Sequence, residues 1–143
     1  MIGGMTMPDD LLAYNRRLIE DFRADGGASV GDRPLLLLTT RGRRSGEPRT
    51  SPVMYVRDGD RLMVIASNNG ATEDPQWYRN LIAEPDVTVE LPGETVPARA
   101  IPLSGEDYDR QWARICEQFP FFVEHQQRAG ARRIPVVELT RTR

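Results

Sequence analysis

The sequence predicts an α+β chain, mainly β, in which about six antiparallel strands form a small barrel with an N-terminal helix and two to three short helices. Asp58-Gly59 and Pro92-Gly93 join apolar segments in the manner of tight hairpin turns. Some strands are apolar throughout and others alternate, a mixture that a barrel explains because closure hides the strand edges. The helices do not alternate with the strands, which argues against a parallel doubly wound sheet. The length of 143 residues fits one domain over residues 1–143.

The first half of the chain contains one helix and three strands. Apolar residues at helical spacing predict an amphipathic helix over residues 9–23, ended by Gly26-Gly27, so that residues 1–30 form a helix and its connector. Residues 34–41 and 49–57 predict two strands, the first closed by a glycine-containing turn. Residues 61–67 predict the third strand, and the Asn-Asn-Gly sequence that follows breaks it.

The next segments combine a short helix with a hairpin. Asp74 and Pro75 are typical of an N-cap and a first helical residue, and the helix is expected to run through residue 83. Residues 86–91 and 95–101 alternate between apolar and polar side chains, which predicts a half-exposed antiparallel hairpin. Residues 134–139 predict the closing strand.

A helix and an aromatic segment precede that closing strand. Ser104, with Asp107 three residues later, resembles a capping box at the start of the helix. Beyond it, three phenylalanines surround a proline at 119–122, and His125 follows. This segment either lines the mouth of an apolar acceptor site or caps the end of the barrel, and the sequence leaves both interpretations open.

Composition excludes several kinds of chemistry. The chain contains one Cys, one His and no lysine, so neither a Cys/His zinc site nor a lysine Schiff base nor a P-loop is expected. No GxGxxG motif follows a strand, so a Rossmann site has no support. The net charge of −2 gives no reason to expect a nucleic-acid partner. With no long apolar run and no secretory signal, we expect a cytoplasmic protein.

The first candidate site is an arginine-rich turn. Arg43, Arg44 and Arg49 surround Gly42 and Gly46, which brings guanidinium groups and free backbone N–H groups together. Arginine binds phosphate and carboxylate groups in a bidentate manner, and glycine lets the backbone approach them closely. An exposed hairpin turn with solvated charges is the competing interpretation. The mutual repulsion of the arginines favours a bound anion.

Two further segments are candidates for a ligand site. The loop at 66–72 carries the chain from a buried strand to a helix start, and its small residues leave room for a flat ligand. Residues 52–54 are more typical of core. The Tyr55 phenol suits either donation to an acceptor oxygen or a hydrogen bond inside the core. His125 suits proton delivery near neutral pH or a structural role.

Taken in order, these segments resemble the deazaflavin-dependent nitroreductase family, the actinobacterial coenzyme F-420-dependent quinone and nitro reductases. The resemblance covers roughly residues 34–139. The segments that carry it are PLLLLTTRGRRSGEPR (34–49), SPVMYVRDGDR (51–61), AS…GA (66–71), PQWYRNLIAEPDVTVE (75–90) and FP…Q…RRIPVVEL near the end.

The resemblance implies a split β-barrel that uses reduced coenzyme F-420, an 8-hydroxy-5-deazaflavin. It implies that Arg43, Arg44 and Arg49 hold the phosphate and the anionic glutamyl tail of the coenzyme. Tyr55 and Ser67 match positions that orient the acceptor in some family members. The residues implied to lie along or near the deazaflavin ring are Pro52, Val53, Met54, Ala66, Ser67, Ala71, Trp77 and Asn80.

One departure from the family bears on the acceptor. The tyrosines that nitroimidazole-activating members carry in the FP loop align here with Phe119, Phe122 and His125. Because phenyl rings replace phenols, an apolar quinone or similar conjugated carbonyl compound is a better acceptor than a nitro compound. The expected catalytic residues are Tyr55, Ser67 and His125. A flavin mononucleotide (FMN) enzyme of the same fold and a non-catalytic coenzyme carrier are the alternatives.

The sequence allows more than one binding partner for the N-terminal helix. Relatives suggest a weak peripheral contact of this helix with the inner face of the membrane, where quinones reside. Asp9, Asp10, Glu20 and Asp21 oppose binding to anionic lipid, which favours packing on the barrel or on a second subunit of a homodimer.

Overall fold

Six antiparallel strands close into a barrel in the order β1-β2-β3-β6-β5-β4, with β4 pairing back to β1. The computed structural model describes residues 8–27 and 34–142. The strands are β1 (Leu35–Arg41), β2 (Pro48–Asp58), β3 (Arg61–Ile65), β4 (Asp86–Leu91), β5 (Glu94–Pro102) and β6 (Val136–Arg141). The helices are α1 (Pro8–Ala24), α2 (Gln76–Ala83), α3 (Gly105–Gln118) and α4 (Phe121–Ala129), with a 3-10 turn at Asn68–Gly70. The α+β, mainly β barrel that the sequence predicts is confirmed.

Both hairpin turns form as the sequence predicts. Asp58 pairs with Arg61 across the β2–β3 turn, and Gly59 adopts a left-handed φ of +63°. The β4–β5 turn has the same two-residue length, with φ of +82° at Gly93. Glycine reaches these angles without steric cost, so the turns set the register of the strands on either side.

The strands bury two separate sets of side chains because they are covered on both faces. Leu36, Leu38, Val64 and Leu139 belong to the core inside the barrel. Leu37 points outward between two of these residues and packs against Phe22 of α1. On another side, α3 and α4 cover the outer faces of β3 and β6. Burial of both faces explains why these strands are apolar without clean alternation.

Two predicted helix starts are wrong in detail. Pro75, and not Asp74, is the N-cap of α2, and the Asp74 carboxylate instead accepts a hydrogen bond from Arg132. Ser104 occupies the N-cap position of α3 but makes no capping hydrogen bond. Asp107 pairs with Arg61 of β3 instead of completing a capping box. In both cases a tertiary ion pair takes the carboxylate that local sequence assigns to the helix end.

The aromatic segment near the C-terminus forms a helix and not a loop. Pro120 precedes α4, whose first turn carries Phe121 and Phe122. The helix predicted at 9–23 is present as α1, whereas residues 1–7 and the connector at 28–33 lie outside the described residues. In the part of the chain that the structure describes, no helix has the length and apolar character needed to cross a bilayer.

Candidate functional site

The arginine-rich turn between β1 and β2 has a defined backbone. The Gly42 N–H donates to the Glu47 carbonyl at 2.7 Å, and the Gly46 N–H donates to the Gly42 carbonyl at 2.8 Å. A Cβ at Gly42 would lie 2.7 Å from Ser45 Oγ, so a larger residue there would displace the turn. The backbone that carries Arg43 and Arg44 is therefore held in one conformation.

Asn80 of α2 anchors this turn to the barrel. Its side chain is 4% exposed, and Oδ1 accepts hydrogen bonds from the Arg43 backbone N–H (3.2 Å) and guanidinium Nη1 (3.0 Å). Its Nδ2 donates to Thr40 Oγ1 of β1 at 3.2 Å. Because a buried amide with satisfied partners has one orientation, Asn80 sets the direction of the Arg43 side chain.

A basic groove of about 690 Å³ runs between this turn, α1 and α2. Arg43, Arg44 and Arg49 line it, as do Trp77 and Asn80. Among the side chains that the structure describes, at residues 13–27 and 34–142, no carboxylate lies within 4.0 Å of the guanidinium groups of these three arginines. Their positive charge is therefore available to an anionic ligand.

A second cavity of about 710 Å³ adjoins the groove. The two share Asn15, Ser51, Gln76 and Trp77 in their walls, so they lie end to end. The second cavity lies between β2, the loop after β3 and α4, and we call it the apolar cavity after its β2 and α4 walls. Asn68, Asn69, Glu73 and Asp74 make its remaining wall polar. The predicted site residues that line it are Pro52, Val53, Met54, Ser67, Ala71, Trp77, Phe122 and His125.

Ser67 and His125 meet at this cavity. Ser67 Oγ lies 2.5 Å from His125 Nδ1, and either atom is the donor according to the imidazole tautomer. Gly70 brings the two elements together, since a Cβ there would lie 2.8 Å from the His125 carbonyl oxygen. Burial lowers the pKa of the His125 imidazole, and Arg128 lowers it further against the opposing effect of Glu124. The imidazole is therefore neutral at neutral pH.

Three predicted site residues line neither the groove nor the apolar cavity. Tyr55 pairs in register with Val64 of the inner core and packs against that core. Ala66 is fully buried. Phe119 packs in the outer core, edge-on to Phe122 at a centroid distance of 6.4 Å, and so supports a ring that does line the cavity.

Sequence reasoning missed several residues around the site. Asn15 and Arg16 of α1 line the groove, and Phe121, 41% exposed, lines the apolar cavity. Arg132, near the start of β6, binds the loop that carries Ser67. Arg132 lies in the RRIPVVEL segment that carries the family resemblance, but the sequence gives no sign of its role, because three of its partners are backbone carbonyls distant in the chain.

Metal-binding groups do not converge in the part of the chain that the structure describes. No three His, Cys, Asp or Glu side chains there come together in a way that could hold an ion. The Cys116 thiol is partly buried, and burial raises its pKa, which disfavours the thiolate that a metal ligand needs.

The fold defines a split β-barrel protein, in which a basic groove adjoins the apolar cavity. The chain belongs to the F420H(2)-dependent quinone reductase family, whose model matches residues 14–141. F420H(2) is the reduced form of coenzyme F-420. The family that the sequence resembles is thereby confirmed.

Individual relatives agree with this assignment. The chain is 38% identical over 113 residues to the F420H(2)-dependent quinone reductase Rv1261c of Mycobacterium tuberculosis strain H37Rv, which covers 78% of this chain and 76% of the relative. A solved structure described as an F420-H2 dependent reductase, FDR-A, shares 34% identity with a TM-score of 0.67, covering 75% of this chain and 94% of that one. Another, described as a domain-swapped dimer, shares 32% identity with a TM-score of 0.70 over 93% and 99% of the two chains.

Proposed function

We propose that the protein reduces quinones with the reduced form of coenzyme F-420, using the basic groove and the apolar cavity as one elongated binding site. Family membership supports the enzyme class and the cofactor. The observation that carries the proposal is the junction of two compartments. One is a groove with three exposed arginines that pair with no carboxylate among the described side chains, and the other is a cavity whose β2 and α4 walls are apolar. The compartments match a ligand with a long anionic tail and a flat ring.

The residues of the groove fit the tail of the coenzyme. Arg43, Arg44 and Arg49 would bind its phosphate and glutamyl carboxylates through bidentate hydrogen bonds. Asn80 Oδ1 accepts a hydrogen bond from the Arg43 guanidinium and would hold that guanidinium in place before the coenzyme binds. Preorganisation of this kind reduces the entropy that binding costs.

The residues of the apolar cavity fit the ring and the acceptor. Pro52, Val53 and Met54 of β2 would lie along the ring, with Ser67 and Ala71 on the opposite loop. When bound, the reduced deazaflavin supplies a hydride from its C5 carbon. The protein has then only to orient the acceptor and to stabilise the oxygen that gains charge.

Ser67 and His125 are the groups proposed to contact the acceptor oxygen. In the tautomer with a proton on Nδ1, His125 donates to Ser67 Oγ, which leaves the serine hydroxyl free to donate to a quinone oxygen. In the other tautomer, Ser67 donates to Nδ1 and the Nε2–H group is available for donation. Tyr55 is left out of this pair because it packs against the inner core.

The walls at the far end of the cavity favour an apolar acceptor. Phe121 and Phe122 lie with ring centroids 4.4 Å apart and offer aromatic surface without a phenolic donor. A quinone ring gains from such contact, whereas a nitro group gains little from it. We therefore place quinones above nitro compounds as acceptors.

Assembly and membrane contact remain proposals of lower rank. The structural neighbour described as a domain-swapped dimer supports a homodimer for this chain as well. No observation on the described residues supports the peripheral membrane contact of α1.

The test combines binding with turnover. Fluorescence titration should give a dissociation constant for coenzyme F-420 at least tenfold below that for FMN. Reduced coenzyme mixed with a panel of quinones should lose its hydride at a rate that depends on enzyme concentration. Tighter binding of FMN would overturn the assignment of coenzyme F-420 as the cofactor. Binding of coenzyme F-420 without turnover of any quinone would identify a coenzyme carrier instead.

A further inference from the structure

Arg132 is a buried cation whose partners all belong to one loop. Its side chain is 10% exposed. Nε donates to the Ala71 carbonyl at 2.9 Å, Nη2 to the Ser67 carbonyl at 2.5 Å, and Nη1 to the Ala66 carbonyl at 3.0 Å. Nη1 also donates to Asp74 Oδ1 at 2.8 Å. One side chain therefore spans the loop from the end of β3 to the approach to α2.

The backbone of that loop explains why it needs such a partner. Asn68 and Asn69 have left-handed φ angles of +53° and +57°, and Gly70 has +75°. The Ser67 carbonyl accepts the Gly70 N–H of the 3-10 turn, and Arg132 adds a second donor to it. The Ala66 and Ala71 carbonyls lie outside that turn and outside β3, so the guanidinium supplies donors where regular pairing stops. Burying a guanidinium is costly unless its donors are used, and here four of its five N–H groups have acceptors.

The same residue is also connected to α4. The Gln126 side chain donates through Nε2 to the Arg132 carbonyl at 2.7 Å, and its Oε1 accepts from the Ile134 N–H at 3.0 Å. Gln126 follows His125, whose Nδ1 contacts Ser67 Oγ. The Arg132 guanidinium therefore holds the backbone of Ser67, whereas the link to the helix of His125 is made by the backbone carbonyl of residue 132, which any residue there supplies.

We propose that Arg132 is a positioning residue that sets the geometry of the Ser67–His125 pair toward the acceptor. The inference rests on the proposed function, in which that pair contacts the quinone oxygen. Arg132 itself lines neither the groove nor the apolar cavity, so the effect of its side chain passes through the loop that carries Ser67. A displacement of about 1 Å at a reacting group can lower a rate by about 100-fold.

The principal variant is Arg132→Gln, with Arg133→Gln as its matched control. Arg133 is the next residue, but it pairs with Asp109 and lies over the Tyr108 ring of α3. We expect Arg132→Gln to lower kcat for quinone reduction about 10- to 100-fold per folded molecule. The dissociation constant of coenzyme F-420 should change less than fivefold, since the arginine turn is separate. Arg133→Gln should retain the wild-type kcat.

A second readout does not depend on activity. His125 is the single histidine of the chain, so its imidazole protons are identified directly in a proton NMR spectrum. In folded Arg132→Gln these resonances should move from their wild-type positions, whereas in Arg133→Gln they should stay. Unchanged resonances together with unchanged kcat in Arg132→Gln would overturn the inference and show that Arg132 contributes to stability alone.

Two further variants keep the test decisive if Arg132→Gln folds poorly. Arg132→Lys retains the charge beside Asp74 but cannot reach three carbonyls at once, so kcat should still fall. Added guanidinium ion at low concentration should restore part of the activity of Arg132→Ala and none of that of Ser67→Ala. Full activity of Arg132→Lys would overturn the inference. Absence of quinone turnover in the wild type would instead refute the proposed function, and the imidazole shifts would still report on Arg132.

Discussion

The basic groove and the apolar cavity are adjacent, yet they are built in different ways. Most of the groove's cationic groups come from one short turn, Arg43 to Arg49, and their side chains are exposed. The cavity draws on β2, the loop after β3 and α4, segments distant in the sequence, and it depends on buried contacts such as those of Arg132. In the function we propose, the groove supplies affinity for the charged tail and the cavity places the reacting groups.

The largest effect should come from removing charge in the groove. Arg43→Ala combined with Arg44→Ala should weaken coenzyme F-420 binding by about 3–6 kcal/mol, because a hydrogen bond to a charged group contributes about 1.5–3 kcal/mol. Fluorescence titration measures the change, and added salt should reduce the wild-type affinity as well. Arg57→Ala, which removes an arginine outside the groove and the apolar cavity, is the control. Equal losses in both proteins would contradict a specific anion site.

In the cavity, the contact between the loop and α4 should be the most sensitive point. Gly70→Ala places a methyl group 2.8 Å from the His125 carbonyl oxygen at a φ of +75°. Gly93→Ala has a similar φ of +82° with no atom within 4 Å, so it reports the backbone strain alone. We expect Gly70→Ala to lower the free energy of unfolding by about 1–3 kcal/mol more than Gly93→Ala, the usual cost of overpacking. Urea denaturation measures both free energies of unfolding. Equal losses would show that the loop accommodates the added methyl group without further destabilisation.

The His125 imidazole should make the cavity sensitive to mild acid. Because burial holds its pKa in the folded protein below the ordinary value of 6.5, the unfolded chain takes up the proton first as the pH falls. The stability that the folded protein gains from the neutral imidazole is therefore fully present above pH 6.5. It is lost as the pH falls through the pKa of His125 in the folded state. An NMR titration of the single imidazole should give a midpoint below 6.5. His125→Gln should lose less stability than the wild type over that pH range, and a midpoint above 6.5 would contradict the burial argument.

The smallest effect should come from the part of the groove that α1 supplies. Arg16→Gln should weaken coenzyme F-420 binding about 1.4- to fivefold, as expected for an exposed charge pair of about 0.2–1 kcal/mol. Arg17→Gln, one residue along the same helix but outside both cavities, is the matched control. A loss of equal size in both variants would indicate long-range electrostatics and not contact with the coenzyme.

Several features follow from the local sequence. Hairpin turns form at Gly59 and Gly93 because only the backbone of glycine reaches those φ angles freely. The arginines of the turn lie together because they are neighbours in the chain, and no folding step is needed to assemble them. The barrel and the basic half of the site could therefore be predicted before the structure.

Other features required the tertiary structure. The sequence predicts Asp74 and Asp107 at helix ends, but in the structure they accept charge-assisted hydrogen bonds from Arg132 and Arg61. The sequence predicts Tyr55 near the acceptor, and only the structure shows that its partly buried ring packs against the inner core opposite Val64. A shift of one residue along a strand reverses the face of every side chain, and motif matching does not determine the face.

By itself, the sequence determined the strand and helix segments, the tight turns, the family and the cluster of arginines, because each depends on residues close together in the chain. Only the tertiary structure decided which side chains face the apolar cavity, that Ser67 meets His125, and that Arg132 binds the loop between them. The two residues in the first contact are 58 positions apart in the chain, and those in the second are 65 positions apart. Some of the acceptors are backbone carbonyls, which every residue has, so the residue types do not reveal them.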